Sequence, residues 1–249
     1  MFRLIRSEFY QLLKSRSFYI FSLAAILLTL LTVLGIYYGN TYEEGTEILI
    51  RMFVTPDLIL EIYGGILTFV GPYICFIVAI IAFSDEIKLR TFINSISFGI
   101  PRYKIYLSKF LMSLFLGIIG ISLSYLTLVI SYQVLIGGPS QPFIDFILDF
   151  IVMHIPLWAA YLSLFILFRF MFSSGAIDML IIMLWSFLPL ILSTINRPWV
   201  QSIRPYLINE LALPSQTSWL GIDQTIYISF AYVIVLLALG IFLFNRKEI

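Results

Sequence analysis

Long apolar runs, most of them free of charge, dominate this chain and leave few folds open. About 20 such residues carry a helix across ~30 Å of hydrocarbon. On that measure, membrane spans are expected at about 18–38, 62–84, 110–135, 146–169, 178–196 and 224–245. The runs are long and uniformly apolar, which points to helices; a membrane β-barrel has alternating segments of ~10 residues. Water-soluble folds are excluded by the surface they need. Only 12% of residues are charged and 61% are hydrophobic, against roughly 25% charged in an average soluble domain. The expected fold class is all-α integral membrane, six transmembrane helices in one domain over 1–249. A net charge of +1 gives no signature for nucleic acid, so no such partner is expected. The single cysteine, Cys75, excludes an intrachain disulfide.

Orientation follows from the Lys/Arg bias. Arg3, Arg6, Lys14, Arg16, Lys88, Arg90, Arg102, Lys104, Lys109, Arg169, Arg246 and Lys247 fall on one side, and Arg51, Arg197 and Arg204 on the other. Both termini are therefore expected to be cytoplasmic. The first span exceeds the roughly 7–15-residue core of a signal peptide, and no small-x-small cleavage site follows it. Ahead of it, Phe2, Ile5, Phe9 and Leu12 recur at helical spacing, with Arg3, Arg6 and Lys14 mostly off that stripe. Residues 1–16 read as an amphipathic elbow helix in the cytoplasmic interface, its cations toward anionic membrane lipid. A simple topology-setting flank is the plainer alternative.

The inner loop 85–109 is the richest segment. Leu89, Phe92, Ile93 and Ile96 repeat at helical spacing, Gly99 can end that helix, and Pro101 can start the next. A bare connector needs only a few residues, so a short cytoplasmic helix offering a docking surface is expected here; lying on lipid is the alternative. The outer loop 197–223 holds Pro198, Trp199, Pro205, Pro214 and Trp219. Too apolar for a solvated loop and too broken for a span, it reads as a re-entrant segment, or else as an outer loop with an aromatic belt.

Catalytic signatures are missing. No Gly-x4-Gly-Lys-Ser/Thr loop occurs, and His154 is the only histidine, so neither a serine triad nor an HExxH metal site is present. Glu43-Glu44 resembles the glutamate pair of membrane-embedded prenyl-protein proteases but lacks the arginine that follows it there. The chain is expected not to be an enzyme, to hold no metal and to carry no cofactor of its own.

Taken together, the elbow, the six spans and the conspicuous second-to-third-span loop resemble the type-2 ABC exporter permeases. The opening Leu4-Ile5-Arg6-Ser7-Glu8-Phe9-Tyr10 with Leu13-Lys14-Ser15 is similar to the start of many such subunits. So is the stretch from Glu86 through Thr91 to Gly99, Arg102, Ile105 and Lys109, although Arg90 stands where that family usually has glycine. Size and compact loops are most similar to permeases of bacterial peptide export and self-immunity. These include the lantibiotic-immunity and bacitracin-resistance groups and the phenol-soluble modulin exporters.

The resemblance implies a subunit of the bacterial cytoplasmic membrane that pairs with a second permease subunit. Two copies of a separate ABC ATPase would bind ATP and Mg and drive export of amphipathic peptides or hydrophobic drugs, giving immunity or antimicrobial resistance. It further implies ATPase coupling through Glu86, Lys88, Leu89, Arg90, Phe92, Ile93, Ile96 and Arg102.

Small and hydroxyl residues form stripes within the spans: Ser113, Gly117, Gly120, Ser124, Thr127 and Ser131 in the third, and Ser22, Ala25, Thr29 and Thr32 in the first. Such stripes let helices approach closely; alternatively one lines a substrate path, with Ser124 and Thr127 as its polar points. Asp145 and Asp149 share a helix face and His154 lies about 140° round from Asp149. They form either a polar lining for a cationic substrate or plain outer-surface solvation. A secondary transporter or channel without an ATPase is the first functional alternative, and an intramembrane enzyme the second. The former class shows paired intramembrane charges and inverted repeats, neither of which is evident here.

Overall fold

The structure, a computed structural model, describes residues 2–39, 56–89, 96–97, 99–135, 141–172, 184, 188, 191–192, 194–195, 197–203, 206–207 and 222–246. Among these the chain is helical, with no strand. The described helices are α1 (Phe2–Lys14), α2 (Arg16–Gly39), α3 (Pro56–Leu89), α4 (Arg102–Leu135), α5 (Gln141–Met171), α6 (Pro198–Ile203) and α7 (Ile222–Arg246). Four stretches are long and apolar enough to cross a membrane: Arg16–Gly35, Arg102–Leu135, His154–Met171 and Gln224–Arg246. Val70–Ala82 is a shorter apolar part of α3. The expected spans at 18–38, 62–84, 110–135, 146–169 and 224–245 therefore lie within α2, α3, α4, α5 and α7. The segment 178–196 falls largely outside the described residues, with 184, 188, 191, 192 and 194 helical.

Local chemistry sets the helix limits. Ser15 separates α1 from α2: its amide donates to the Leu12 carbonyl at 3.0 Å, and its Oγ accepts from the Phe18 amide at 3.2 Å. A side-chain oxygen that takes up an otherwise unpaired first-turn amide is the usual start signal of a helix. Helices α3 and α4 each run for 34 residues, well beyond the ~20 that cross hydrocarbon. The end of α3 absorbs Asp85 to Leu89, so the first residues of the expected inner loop extend that helix. The turn into α4 is closed at Gly99, whose φ of 81° is open to glycine at little cost and whose amide donates to the Ile96 carbonyl at 2.9 Å. Pro72 in α3 and Pro156 in α5 sit inside continuous helices, as neighbouring helices permit in membrane bundles.

Helix α4 is the hub, touching α1, α2, α3, α5 and α7, while α5 packs chiefly on α3 and α7. Tyr106, Leu116 and Leu128 of α4 and Leu157, Tyr161 and Ile166 of α5 are among the innermost side chains of these two helices. Ile20, Leu23, Leu27 and Leu31 of α2, with Tyr227, Phe230 and Ile234 of α7, are exposed. Aliphatic faces of this kind suit a hydrocarbon solvent. In such a solvent, close fit replaces hydrophobic drive between helices. The α4 stripe meets that need: Ser113, Gly117, Gly120, Ser124 and Ser131 are all buried. The ring of Phe21 sits directly over Gly120, so a Cβ there would come within 2.6 Å of it.

The amphipathic helix α1 is placed differently from the expectation that its apolar stripe lies in lipid. Ile5 and Phe9 pack against the protein core and Leu12 belongs to it. Both α1 and α2 touch α1's main support, α4. A protein groove beside α4 offers the stripe fixed partners, which lipid chains do not.

Candidate functional site

The expected coupling residues divide into three groups. Glu86, Lys88 and Leu89 belong to the last turns of α3. Arg90, Phe92 and Ile93 lie outside the described residues. Ile96 and Arg102 flank the Gly99 turn. Ile96 is half-buried and packs on the chain's own core. Arg102 reaches across to α7, where its Nη1 donates to the Phe244 carbonyl at 3.1 Å and the Asn245 carbonyl at 3.2 Å. Those carbonyls belong to the last turn of α7 and lack intrahelical donors, and a guanidinium there also complements the helix dipole. Arg102 thus joins the start of α4 to the end of α7.

Below this point α1 is fixed to the same helix. Phe9 meets Phe115 edge-on, with ring centroids 5.0 Å apart. Glu8 and Lys109 form an ion pair whose side chains are 12% and 3% exposed. A buried charge without its partner is costly, so the pair specifies which face of α1 meets α4. Neither residue stood out as a site in the sequence. One signal was available: Glu8 is the only acidic residue before Glu43.

A second polar cluster sits where α2, α3 and α4 meet. Ser124 Oγ lies 2.6 Å from Thr29 Oγ1 and 2.7 Å from Tyr63 Oη. Proton counting fixes the direction of these bonds. Thr29 has one hydroxyl proton and donates it to the Ala25 carbonyl at 2.8 Å, so it accepts from Ser124. Ser124 in turn accepts from Tyr63. The chain runs Tyr63 to Ser124 to Thr29 to Ala25, with every hydroxyl satisfied. Its other proposed path residue, Thr127, donates to the Leu123 carbonyl at 2.8 Å. Ser124 therefore works as a three-helix junction. Ser124→Ala should strand the buried Tyr63 hydroxyl and destabilise the solubilised chain by about 1–3 kcal/mol. Adding Tyr63→Phe should recover much of that loss; thermal unfolding of both variants in one detergent checks it, and equal midpoints for Ser124→Ala and wild type would refute the assignment.

Asp145 is exposed and His154 half-buried on α5. They stand nine residues apart, about 14 Å along the helix; the Asp149 side chain lies outside the described residues. At the same end of α5, the Tyr125 hydroxyl donates to the Phe143 carbonyl, and the rings of Tyr132 and Phe143 lie 4.7 Å apart. An apolar crevice of about 20 Å³ opens between α3, α4 and α5, lined by Cys75, Val78, Gly117, Trp158 and Leu162 among others. That volume suits one water-sized body and no peptide. Among the described residues no group of three or more His, Cys, Asp or Glu is placed to hold a metal. Compared with protein-family models and with curated proteins, the chain matches none.

Proposed function

We propose that this chain is the membrane permease subunit of an ATP-driven ABC exporter. It has six spans with both termini cytoplasmic, in the bacterial cytoplasmic membrane, and works as a pair with a second permease. ATP and Mg belong to two copies of a separate ATPase subunit. The cargo is an amphipathic peptide or a similarly hydrophobic molecule. One observation carries the reading: α3 and α4 each run for 34 residues, longer than the hydrocarbon thickness requires, and a turn at Gly99 leads into α4. Helix ends that outrun the membrane offer a lever to a soluble partner. We read outer residues 197–223 as the re-entrant element; within it lie α6 and Tyr206, whose carbonyl accepts from the Tyr232 hydroxyl of α7 at 2.9 Å.

Energy transfer needs differential affinity: the ATP-bound and ATP-free partner must hold the hairpin in different ways, or no work reaches the membrane. Affinity purification from mild detergent tests the proposal. A nucleotide-hydrolysing subunit should co-purify in equal amount with this chain. Vesicles holding this chain alone that moved cargo at the full rate would overturn it.

A further inference from the structure

We propose that Glu8 and Lys109 are positioning residues that weld α1 to the base of α4, so that the N-terminal helix and the Gly99 turn at the start of α4 move as one body. The observations are three. The ion pair is part-buried, with Lys109 3% and Glu8 12% exposed. It is flanked by apolar contacts on the same two helices: Phe9 lies edge-on to Phe115 at 5.0 Å, and Leu12 is 7% exposed in the core. And α4 is held at the same end by Arg102 on the Phe244 and Asn245 carbonyls. A force on the start of α4 therefore reaches α1 and the end of α7 through direct contacts of α4.

Desolvation explains why a charge pair serves here. Two charges largely held out of water tolerate little separation, because opening the pair takes from each its nearest opposite charge. Apolar contacts would let α1 rotate or slide; the pair fixes its rotation. A stripe of Ile5, Phe9 and Leu12 alone fits more than one register, since equivalent apolar positions recur every three or four residues along a helix.

The role in coupling rests on the proposed function, whereas the weld itself does not. Amide hydrogen exchange on the full chain in lipid nanodiscs is the test. In wild type, the amides of residues 5–12 should be protected. Glu8→Gln should speed their exchange at least about tenfold while α5 is unchanged, as expected of a local opening. The swap of Glu8→Lys with Lys109→Glu should restore protection to within about threefold of wild type. Neutralising both ends, by Glu8→Gln with Lys109→Met, keeps the burial without the charge penalty and guards against simple misfolding. It should leave α1 docked but less protected than wild type. Unchanged exchange in Glu8→Gln, or a swap no better than the single variant, would overturn the weld.

A second arm uses a Cys75→Ala background and joins Glu8→Cys to Lys109→Cys with a short thiol crosslinker. With the ATPase present, turnover should stay within about twofold of the uncrosslinked protein, because a weld does not open during the cycle. Loss of turnover on crosslinking would show that the helices must part and would overturn the single-body claim. Failure of any ATPase to associate would instead count against the proposed function and leave the exchange result to decide the weld.

Discussion

Gly240→Ala is expected to be among the most damaging single substitutions in the described bundle. A Cβ at Gly240 would overlap the hydroxyl and Cζ of Tyr106. That ring cannot retreat: it is fully buried, 4.9 Å from the ring of Phe170 and 6.5 Å from that of Phe244, centroid to centroid. Overpacking of a closed site costs about 1–3 kcal/mol, and here it also forces α7 away from α4. Arg102 would then lose its carbonyl partners on Phe244 and Asn245. The thermal midpoint and the monodisperse yield in detergent should both fall. Tyr106→Phe behaves in the opposite sense. The Tyr106 hydroxyl is buried and has no hydrogen-bond partner among the described residues, so its removal should be neutral or stabilise by about 1 kcal/mol. Tyr106→Leu vacates the space that the new Cβ needs. Gly240→Ala should therefore cost much less in a Tyr106→Leu background, and the double-mutant cycle should show coupling of about 1 kcal/mol or more. Additive costs would mean that the two helices do not meet at this pair.

Those effects depend on a contact that no periodicity announces. Gly240 sits in an apolar run that reads as a span and nothing more, because a glycine in a membrane helix is common. Helix existence was legible: apolar length located α2, α4, α5 and α7, although α4 and α5 begin at Arg102 and Gln141, ahead of the expected 110 and 146, where polar residues open the helix. So was the stripe from Ser113 to Ser131, since small residues every three or four positions mark a face that meets another helix. Which helix it meets was not. The Phe21 ring over Gly120 and the Thr29 bond to Ser124 assign that face to α2, and partner choice of this kind is a property of the whole bundle. Helix α1 shows the same limit. Its amphipathic stripe was evident, yet a stripe needs only an apolar partner, and lipid and protein are alike in that respect. Glu8 settles the matter, because a lone carboxylate prefers a buried ammonium such as Lys109 to hydrocarbon. Ser124 and Thr127 were set apart as path residues on hydroxyl chemistry alone. Proton counting shows the hydroxyls of both engaged inside the bundle.

The prediction with the largest functional effect concerns the hairpin. If the chain is the proposed permease subunit, Phe92→Glu with Ile96→Glu should remove the partner ATPase from the purified complex, and transport should cease with it. Buried apolar anchors at an interface contribute about 2–4 kcal/mol each when they are hot spots, and losing one such anchor weakens binding roughly 30-fold or more. A carboxylate placed in an apolar groove adds its own desolvation cost. Ile96 needs care, since it also packs on the chain's own core and its carbonyl accepts the Gly99 amide. A loss caused by Ile96→Glu alone could then reflect a disturbed turn. Phe92→Glu alone separates the two causes. If the hairpin grips a partner, Phe92→Glu releases the ATPase while the thermal midpoint of the isolated chain stays within a degree or two. Arg102→Gln completes the set. It frees the last turn of α7 but leaves both apolar anchors in place, so the ATPase should be retained while the stimulation of its turnover by cargo falls. Undiminished ATPase recovery with both glutamates present would take the lever away from this hairpin and hand the coupling role to another surface.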